Sequence, residues 1–486
     1  MRILRKVTIY MEEQYNASNR PVNPRRKKRS KMQIFKETYL PVLIAGVALL
    51  LILVFIIGSI TRAVQKNNAQ KDANDALASS LAAEQAQLDQ EAKQLLEQAN
   101  SLAASYDYQG AIALLNSFRG DLSKYTSLND KIIEYEAAQE AMVAWDDPSQ
   151  IVNLSFQLLI ADPARGFSHE TYGYSINRNF ITTVEFTKIL QQLYNNGYIL
   201  VEFDDFITTE TGADGKTVYK AKTLYLPNGK KPIMLTQTNV NYNYYLIDSD
   251  GDKVADAKGG GFASKLLWDG SNFTCEMVDS SGNTVTGDYD LVPILEKFVA
   301  QHPSFSYQGA KATLALTGYN GLFGYRTHPN AANLFGQTAY QQAIQDASTV
   351  AQALRDHGYT LACYTYENVP YGEYSATQIQ NDLNSWTNEV VPILGNLDIL
   401  AYAQLTDIST DAAYSGEKYD ALKNLGFRYY LGFCEDGKPW ATVTDEYVRQ
   451  GRILVTGSAL AHHEAWFTGL FDPSSVLDTT RGNVPG

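Results

Sequence analysis

Residues 183–203 read TVEFTKILQQLYNNGYILVEF, and their periodicity changes in the middle. In the first half, apolar residues recur every three or four positions, which predicts a helix that buries one face. Gly197 then acts as a stop, because glycine readily adopts the backbone conformation that ends helices. Residues 198–203 form a short apolar run, and a similar run lies at 151–160; both predict buried strands. Strand–helix–strand at this spacing predicts a parallel sheet.

The same alternation continues toward the C-terminus. Further strands are predicted in the apolar runs at 232–235, 312–316, 360–364 and 397–403, and a last α/β segment covers 419–458. Helical periodicity predicts helices near 291–301, 338–358 and 376–394. About seven strand–helix alternations predict an α/β barrel. Turn residues also predict a β-hairpin insertion near 206–230 and a second polar β insertion near 246–290.

The N-terminal segment separates positive charge from an apolar stretch. Residues 1–38 contain 11 Lys/Arg and 3 Asp/Glu, whereas residues 39–61 contain no charged residue. The apolar stretch is long enough to cross a bilayer as a helix, and the basic tail before it predicts a cytoplasmic N-terminus. We therefore expect a single-pass membrane protein with its C-terminal domain outside the cell. The alternatives are a cleaved signal peptide and, for the basic cluster at 25–31, a nucleic-acid or nuclear-import patch; no nucleic-acid partner is expected.

Residues 62–148 are rich in Ala, Gln, Glu and Leu, which favours helix. We expect a helical stalk or hairpin that spaces the outer domain from the membrane. The stretch at 106–112 is also similar to the turn of a stacked helical repeat, so peptide binding is an alternative. Pro148 marks the boundary of a C-terminal domain at 149–486. The three cysteines, Cys275, Cys363 and Cys434, are too widely spaced for a disulfide framework.

A polar strand end is the first candidate site. The apolar run 232–235 leads directly into Thr236, Gln237, Thr238 and Asn239. Strand ends are where α/β barrels carry their chemistry, but this one offers only amides and hydroxyls and no carboxylate.

Several motifs resemble those of the polysaccharide deacetylases, carbohydrate esterase family four, also called the chitooligosaccharide-deacetylase homology domain. The chain reads KPIMLT at 231–236, GYTLA at 358–362 and NLGFRYY at 424–430, and the likeness extends from about 151 to 486. The segment at 324–327 resembles a membrane-anchored bacterial branch of the family. The resemblance implies a distorted (β/α)7 barrel of the glycoside hydrolase/deacetylase type, preceded by a transmembrane helix and a helical stalk. It also implies removal of acetyl groups from peptidoglycan or chitin with a divalent metal, usually zinc.

The family motifs that hold the metal and the base are altered. Active relatives have an aspartate base and an aspartate ligand where this chain has Thr238 and Asn239, and two histidine ligands where it has Tyr364 and Asn368. A further histidine of the branch corresponds to Gln157. Threonine cannot serve as the base, and neutral asparagine is a poor zinc ligand. We therefore expect no metal and no cofactor.

With these replacements, we expect the strand ends to form a neutral cleft lined by polar and aromatic side chains. Its predicted substrate-binding residues are Gln237, Asn239, Asn241, Arg326, Tyr364, Tyr366 and Asn368, with Thr238 at the position of the base. Hydroxyl hydrogen bonds and aromatic faces suit a sugar, so we expect a catalytically degenerate protein that binds cell-wall glycan or peptidoglycan. The alternatives are an active zinc-dependent deacetylase or other hydrolase with an atypical site, a structural cell-envelope scaffold, a lost site that binds nothing, and a Cys363 nucleophile.

Overall fold

The computed structural model describes residues 46, 48–50, 69–409 and 413–486. The basic tail at 1–38 and most of the apolar stretch at 39–61 therefore lie outside the described residues. Within the part of the chain that is described, none of the helices has the length and hydropathy needed to span a membrane.

Seven parallel strands close into a barrel. In chain order they are β1 (Val152–Phe156), β2 (Lys231–Thr238), β3 (Thr313–Leu316), β4 (Thr360–Cys363), β5 (Ile399–Ala401), β6 (Tyr429–Phe433) and β7 (Val448–Leu454). Each strand pairs with the next one, and β7 pairs with β1 to close the ring. The predicted seven-stranded α/β barrel is confirmed.

The strand expected at 198–203 is not one of the seven. Tyr198–Leu200 pairs with the first residues of β2, and β3 pairs with the last residues of the same β2 edge. The strand ends after three residues because Phe203–Phe206 forms a helical turn. The ring is instead completed at the C-terminus, where the last α/β segment supplies both β6 and β7. This shared edge distorts the barrel.

Helices surround the barrel and precede it. The longer ones are α1 (Ala69–Ala104), α2 (Tyr108–Asn116), α3 (Thr126–Glu140), α4 (Thr183–Asn195), α5 (Leu291–Gln301), α6 (Gln337–Asp356), α7 (Ala376–Glu389) and α8 (Glu417–Leu425). Shorter α-helical segments are Pro163–Ser168, Gly173–Asn179, Tyr244–Ile247, Ala331–Phe335, Val391–Leu394, Gly457–His462 and Pro473–Val476.

Helix α4 shows how local sequence sets the element boundaries. Thr182 and Glu185 form a reciprocal capping box at its start, which satisfies two otherwise free backbone N–H groups. Its apolar stripe, which includes Phe186 and Ile189, is fully buried. The expected stop is present, since Gly197 follows the helix with a φ of +81°.

Additional strands lie outside the ring. They form the hairpin Ile207–Thr211 with Thr217–Ala221, a pair of Val143–Trp145 with Leu224–Leu226, a sheet of Lys265–Trp268, Phe273–Val278 and Thr284–Gly287, and Ala441–Val443 on the edge of β7.

Two apolar layers fill the domain. The barrel interior takes one side-chain set from the strands: Met234, Ala315, Ala362, Ala401, Leu431 and Val448. The layer between barrel and helices takes the alternate set, which includes Leu154, Leu235, Leu314, Leu361, Leu400 and Ile453. Because side chains alternate along a strand, these two sets also tell us whether each of the other strand residues points into the barrel or toward the helices. The interior also holds a polar chain in which Thr236 Oγ1 donates to Asn153 Oδ1 at 2.8 Å and Asn153 Nδ2 donates to Gln450 Oε1 at 3.0 Å.

Candidate functional site

The carboxyl ends of the seven strands form one face of the barrel, which we call the mouth. Thr238 in β2, Phe433 in β6 and Arg452 in β7 are interior positions near these ends, and Tyr364 directly follows β4. Phe433 and Arg452 are register partners, so their side chains share the interior face. The mouth is therefore lined by hydroxyl, aromatic and guanidinium groups.

Thr238 and Tyr364 meet at the mouth. Thr238 Oγ1 donates to the Phe156 carbonyl at 3.2 Å, and the Thr238 hydroxyl lies close to that of Tyr364. Burial raises the pKa of Tyr364, which keeps its hydroxyl protonated as a donor. The structure thus brings together two residues that the family resemblance aligned with a base and a metal ligand. As they stand, they are a pair of neutral hydroxyl groups.

Asn239 and Asn241 begin the loop after β2. Asn239 has a φ of +61°, a conformation that asparagine tolerates better than most residues. The Oδ1 atoms of both side chains are buried without a hydrogen-bond partner. Asn241 Nδ2 is used within the loop, where it donates to Asn243 Oδ1 at 2.9 Å. A buried amide oxygen without a donor is costly, so both residues are open to a ligand hydroxyl or a water.

Gln237 does not face the mouth. It alternates with Thr236 and Thr238 and points into the layer between barrel and helices. There its Nε2 donates to Asp290 Oδ1 at 2.7 Å. Asp290 also accepts from the Leu159 N–H and the Tyr242 hydroxyl. Sequence reasoning placed Gln237 in the cleft because it read the strand end as a continuous polar run and did not apply the alternation of faces.

Tyr366 and Asn368 lie in the loop after β4 but point differently. The Tyr366 hydroxyl donates to Glu389 at the end of α7, so it supports the loop from outside. Asn368 has a φ of +57° and a buried Oδ1 without a partner. Its carbonyl accepts from Gln404 Nε2 at 3.2 Å, which links the loops after β4 and β5.

Arg326 joins two loops of the mouth. Its guanidinium donates to the carbonyls of Asn241 (3.2 Å), Asn320 (3.0 Å) and Tyr242 (3.0 Å), and it lies 4.0 Å from the ring centroid of Tyr244. These contacts hold the loop after β2 to the loop after β3. Arg326 is therefore a positioning residue in this structure, with most of its donors already used.

Backbone strain also collects at the strand ends. Thr365, which follows β4, has a φ of +58°, unusual for a β-branched residue. Gln404 and Leu405 after β5 have φ values of +54° and +60°. Strained non-glycine residues cluster at ligand sites in many proteins, so this feature favours the mouth as the functional face.

Sequence reasoning missed Arg452. Its side chain is 0% exposed, and its Cζ lies 4.6 Å from the Phe433 ring centroid and 5.8 Å from that of Tyr364. Nε and Nη2 donate to the carbonyls of Gly432 (3.2 Å) and Tyr402 (2.7 Å), whereas Nη1 has no partner. An arginine two positions after a glutamine, both on the same face of a barrel strand, was the available signal.

Exposed tyrosines lie beside the mouth. Tyr172 and Tyr245 are 37% and 41% exposed and pack edge to face with ring centroids 5.5 Å apart. Burial of the Tyr245 hydroxyl end, followed by the nearby Tyr319, Tyr172 and Tyr364, raises its pKa. Tyr245 therefore brings a partly exposed ring near Tyr364 at the mouth.

The residues at the mouth do not fit zinc. Thr238, Asn239, Tyr364 and Asn368 stand where the family resemblance implies ligands and a base, and none supplies the imidazole, thiolate or carboxylate that zinc prefers. Among residues 69–409 and 413–486, one group of three potential ligands comes within 4.8 Å, namely Asp248, Asp250 and Asp256 in the second insertion. Asp248 and Asp256 already accept backbone N–H groups of their own loop.

Cys363 lies on the outer face of β4 and is fully buried. Burial, and next to it Asp382, raises the pKa of its thiol well above the usual value. This environment opposes the thiolate that a nucleophile requires.

Comparison with known proteins gives no family. No family model and no curated protein matches the chain. Two solved structures are similar over most of their length. The Streptococcus pyogenes deacetylase PplD in complex with acetate has 11% identity and a TM-score of 0.31, over 65% of this chain and 94% of that one. The de-N-acetylase from Aggregatibacter actinomycetemcomitans has 14% identity and a TM-score of 0.33, over 63% and 95%. Identities and TM-scores this low establish no shared reaction.

Proposed function

We propose that the barrel mouth binds a cell-envelope glycan and performs no metal-dependent deacetylation. The observation that carries this proposal is the Thr238–Tyr364 pair, which puts two neighbouring hydroxyl groups where the family resemblance implies a base and a metal ligand. A hydroxyl pair can hold a sugar, but it can neither take a proton from water at neutral pH nor bind zinc tightly.

The mouth offers both kinds of contact that sugars use. The free Oδ1 atoms of Asn239, Asn241 and Asn368 can accept hydrogen bonds from sugar hydroxyls. The exposed rings of Tyr172 and Tyr245 offer apolar faces beside these acceptors. Together they favour peptidoglycan or a related cell-wall glycan as the ligand.

We also propose that the N-terminal segment anchors this domain to the outside of the cell membrane. The support is the uncharged stretch at 39–61 behind a basic tail. Such an anchor would hold the mouth close to the wall.

The test is binding of the full-length protein to purified peptidoglycan, together with acetate release from N-acetylglucosamine oligomers. We expect binding without acetate release. Tyr245→Ala should weaken binding several-fold, because stacking on an aromatic face is lost. Tyr225→Ala is the matched control, since Tyr225 is 52% exposed in the Leu224–Leu226 strand that pairs with Val143–Trp145 next to the stalk. Acetate release with zinc would favour the active-deacetylase alternative, and equal binding by all three proteins would place the glycan elsewhere.

A further inference from the structure

Arg452 is a buried charge without a countercharge. In the described part of the chain, no carboxylate lies within salt-bridge distance of its guanidinium, whereas two other buried arginines have one: Arg449 pairs with Asp407 at 2.9 Å and Arg481 with Glu185 at 2.5 Å. Burial lowers the pKa of Arg452 to about 10, so it stays positively charged at neutral pH.

A lone buried charge of this kind is unfavourable unless something compensates it. Two carbonyls satisfy Nε and Nη2, but Nη1 points to no acceptor. Arg449 is a useful comparison because it stands on the same strand, faces outward and has its carboxylate. The two arginines of β7 therefore differ: the outward-facing one is neutralised by a carboxylate, and the interior one is not.

The position of Arg452 indicates where a compensating group would come from. It faces the interior at the mouth, beside Phe433 and below Tyr364. Thr317 Oγ1, one residue after β3, is also buried without a partner, as are the Asn239 and Asn368 amide oxygens. A donor for an anion and acceptors for hydroxyls thus occur on the same face of the barrel.

We propose that Arg452 receives an anionic group of the bound glycan, so that the mouth prefers an acidic sugar, carrying a carboxylate or a phosphate, over a neutral one. The inference rests on the glycan-binding function proposed above and specifies its ligand class. Guanidinium is suited to this role because its planar N–H groups match carboxylate and phosphate oxygens. The Tyr364 ring centroid lies 5.8 Å from the guanidinium carbon, so the ligand would enter beside this ring.

The test compares three sugars by calorimetric titration of the full-length protein in low-salt buffer free of phosphate. They are N-acetylglucosamine, its 6-phosphate, and N-acetylmuramic acid, which differs from the first by a carboxylate-bearing ether. A charge-assisted hydrogen bond should make one acidic sugar bind at least about tenfold more tightly than the neutral one. The sugar that gains distinguishes carboxylate from phosphate.

Variants then assign the preference to Arg452. Arg452→Gln should reduce acidic-sugar affinity to that of the neutral sugar, and Arg452→Lys should retain part of the difference. Arg178→Gln removes the same charge from an exposed position and should leave all affinities unchanged. A preference that survives in a folded Arg452→Gln variant would overturn the assignment.

The wild-type comparison decides the matter if the Arg452 variants do not fold. Equal affinity for the three sugars would overturn the anion subsite while leaving glycan binding intact. Absence of binding to any sugar and to peptidoglycan would instead overturn the proposed function itself.

Discussion

Asp290, a single buried residue beneath the mouth, makes the stability of the fold depend on pH. It is fully buried, accepts hydrogen bonds from Gln237, Tyr242 and Leu159, and stands at the start of α5. Burial raises its pKa to about 6, although these hydrogen bonds oppose the rise. The carboxyl group therefore keeps its proton in the folded state at pH values where the unfolded chain has released it.

This pKa predicts a specific loss of stability with pH. Between about pH 4 and pH 6 this carboxyl group binds more protons in the folded state than in the unfolded state, so its contribution to the free energy of unfolding should fall as pH rises through this window. The contribution of Asp290 should be roughly 2–3 kcal/mol and should level off above pH 6. Urea unfolding of Asp290→Asn should lack this fall, whereas Asp130→Asn, at an exposed position of α3, should retain it. Parallel curves for wild type and Asp290→Asn would contradict the assignment.

At the scale of elements, one buried ion pair fastens the C-terminal segment to α4. Arg481 Nε and Nη2 donate to the two Glu185 oxygens at 2.5 and 2.6 Å, and Nη1 donates to the Asn177 carbonyl at 2.8 Å. Glu185 also completes the capping box of α4. The Glu185 carboxylate therefore both caps the N-terminus of α4 and binds Arg481 of the C-terminal segment.

We expect Glu185→Gln to destabilise the protein by about 3–5 kcal/mol, because Arg481 would remain buried without its countercharge. Lys297→Met removes the exposed pair with Asp288 and should cost less than about 1 kcal/mol. Chemical denaturation measures both. A small effect of Glu185→Gln would mean that the segment is held chiefly by its apolar contacts.

The N-terminal helices α1 to α3 are also joined to the barrel by specific contacts. Tyr106 is buried in the same apolar cluster as the residues of the barrel interior. Its hydroxyl donates to the Ser304 carbonyl at 2.9 Å, and its ring stacks on that of Tyr307 with the centroids 6.4 Å apart. In addition, Val143–Trp145 pairs with Leu224–Leu226 across the expected boundary at Pro148.

We still expect a 149–486 fragment to fold, because the whole closed ring lies within it. It should melt at a lower temperature than a 69–486 fragment, since it loses the Tyr106 contact and the short strand pair. Tyr106→Ala in the longer fragment should reproduce part of the decrease. A 149–486 fragment that fails to show a cooperative thermal transition would contradict the independence of the domain.

On the scale of the whole molecule, the strand–helix alternation was sufficient to predict the barrel, because parallel strands buried on both faces leave a strong apolar signal. It was not sufficient to predict which strands close the ring. Residues 198–203 have the composition of a barrel strand, but their place is decided by long-range competition for one edge of β2. The candidate site divides similarly. Motif position predicts Thr238 and Tyr364 as site residues, whereas Gln237 faces outward and Arg452 is recognisable only once the interior face is known.

The proposed orientation of the molecule makes its own prediction. A basic tail before an uncharged stretch predicts an N-terminus inside the cell and residues 62–486 outside. Protease added to intact cells should digest the C-terminal region and spare an N-terminal tag. Protection of the C-terminal region with loss of the tag would reverse the orientation.

The central claim is that the mouth binds glycan through its own side chains and not through a metal. The most direct measurement is binding of the full-length protein to purified peptidoglycan in excess zinc and in excess chelator. We predict the same affinity in both conditions, because the Thr238–Tyr364 pair and the asparagine amides require no ion. Binding that appears only with zinc, or no binding in either condition, would contradict the account.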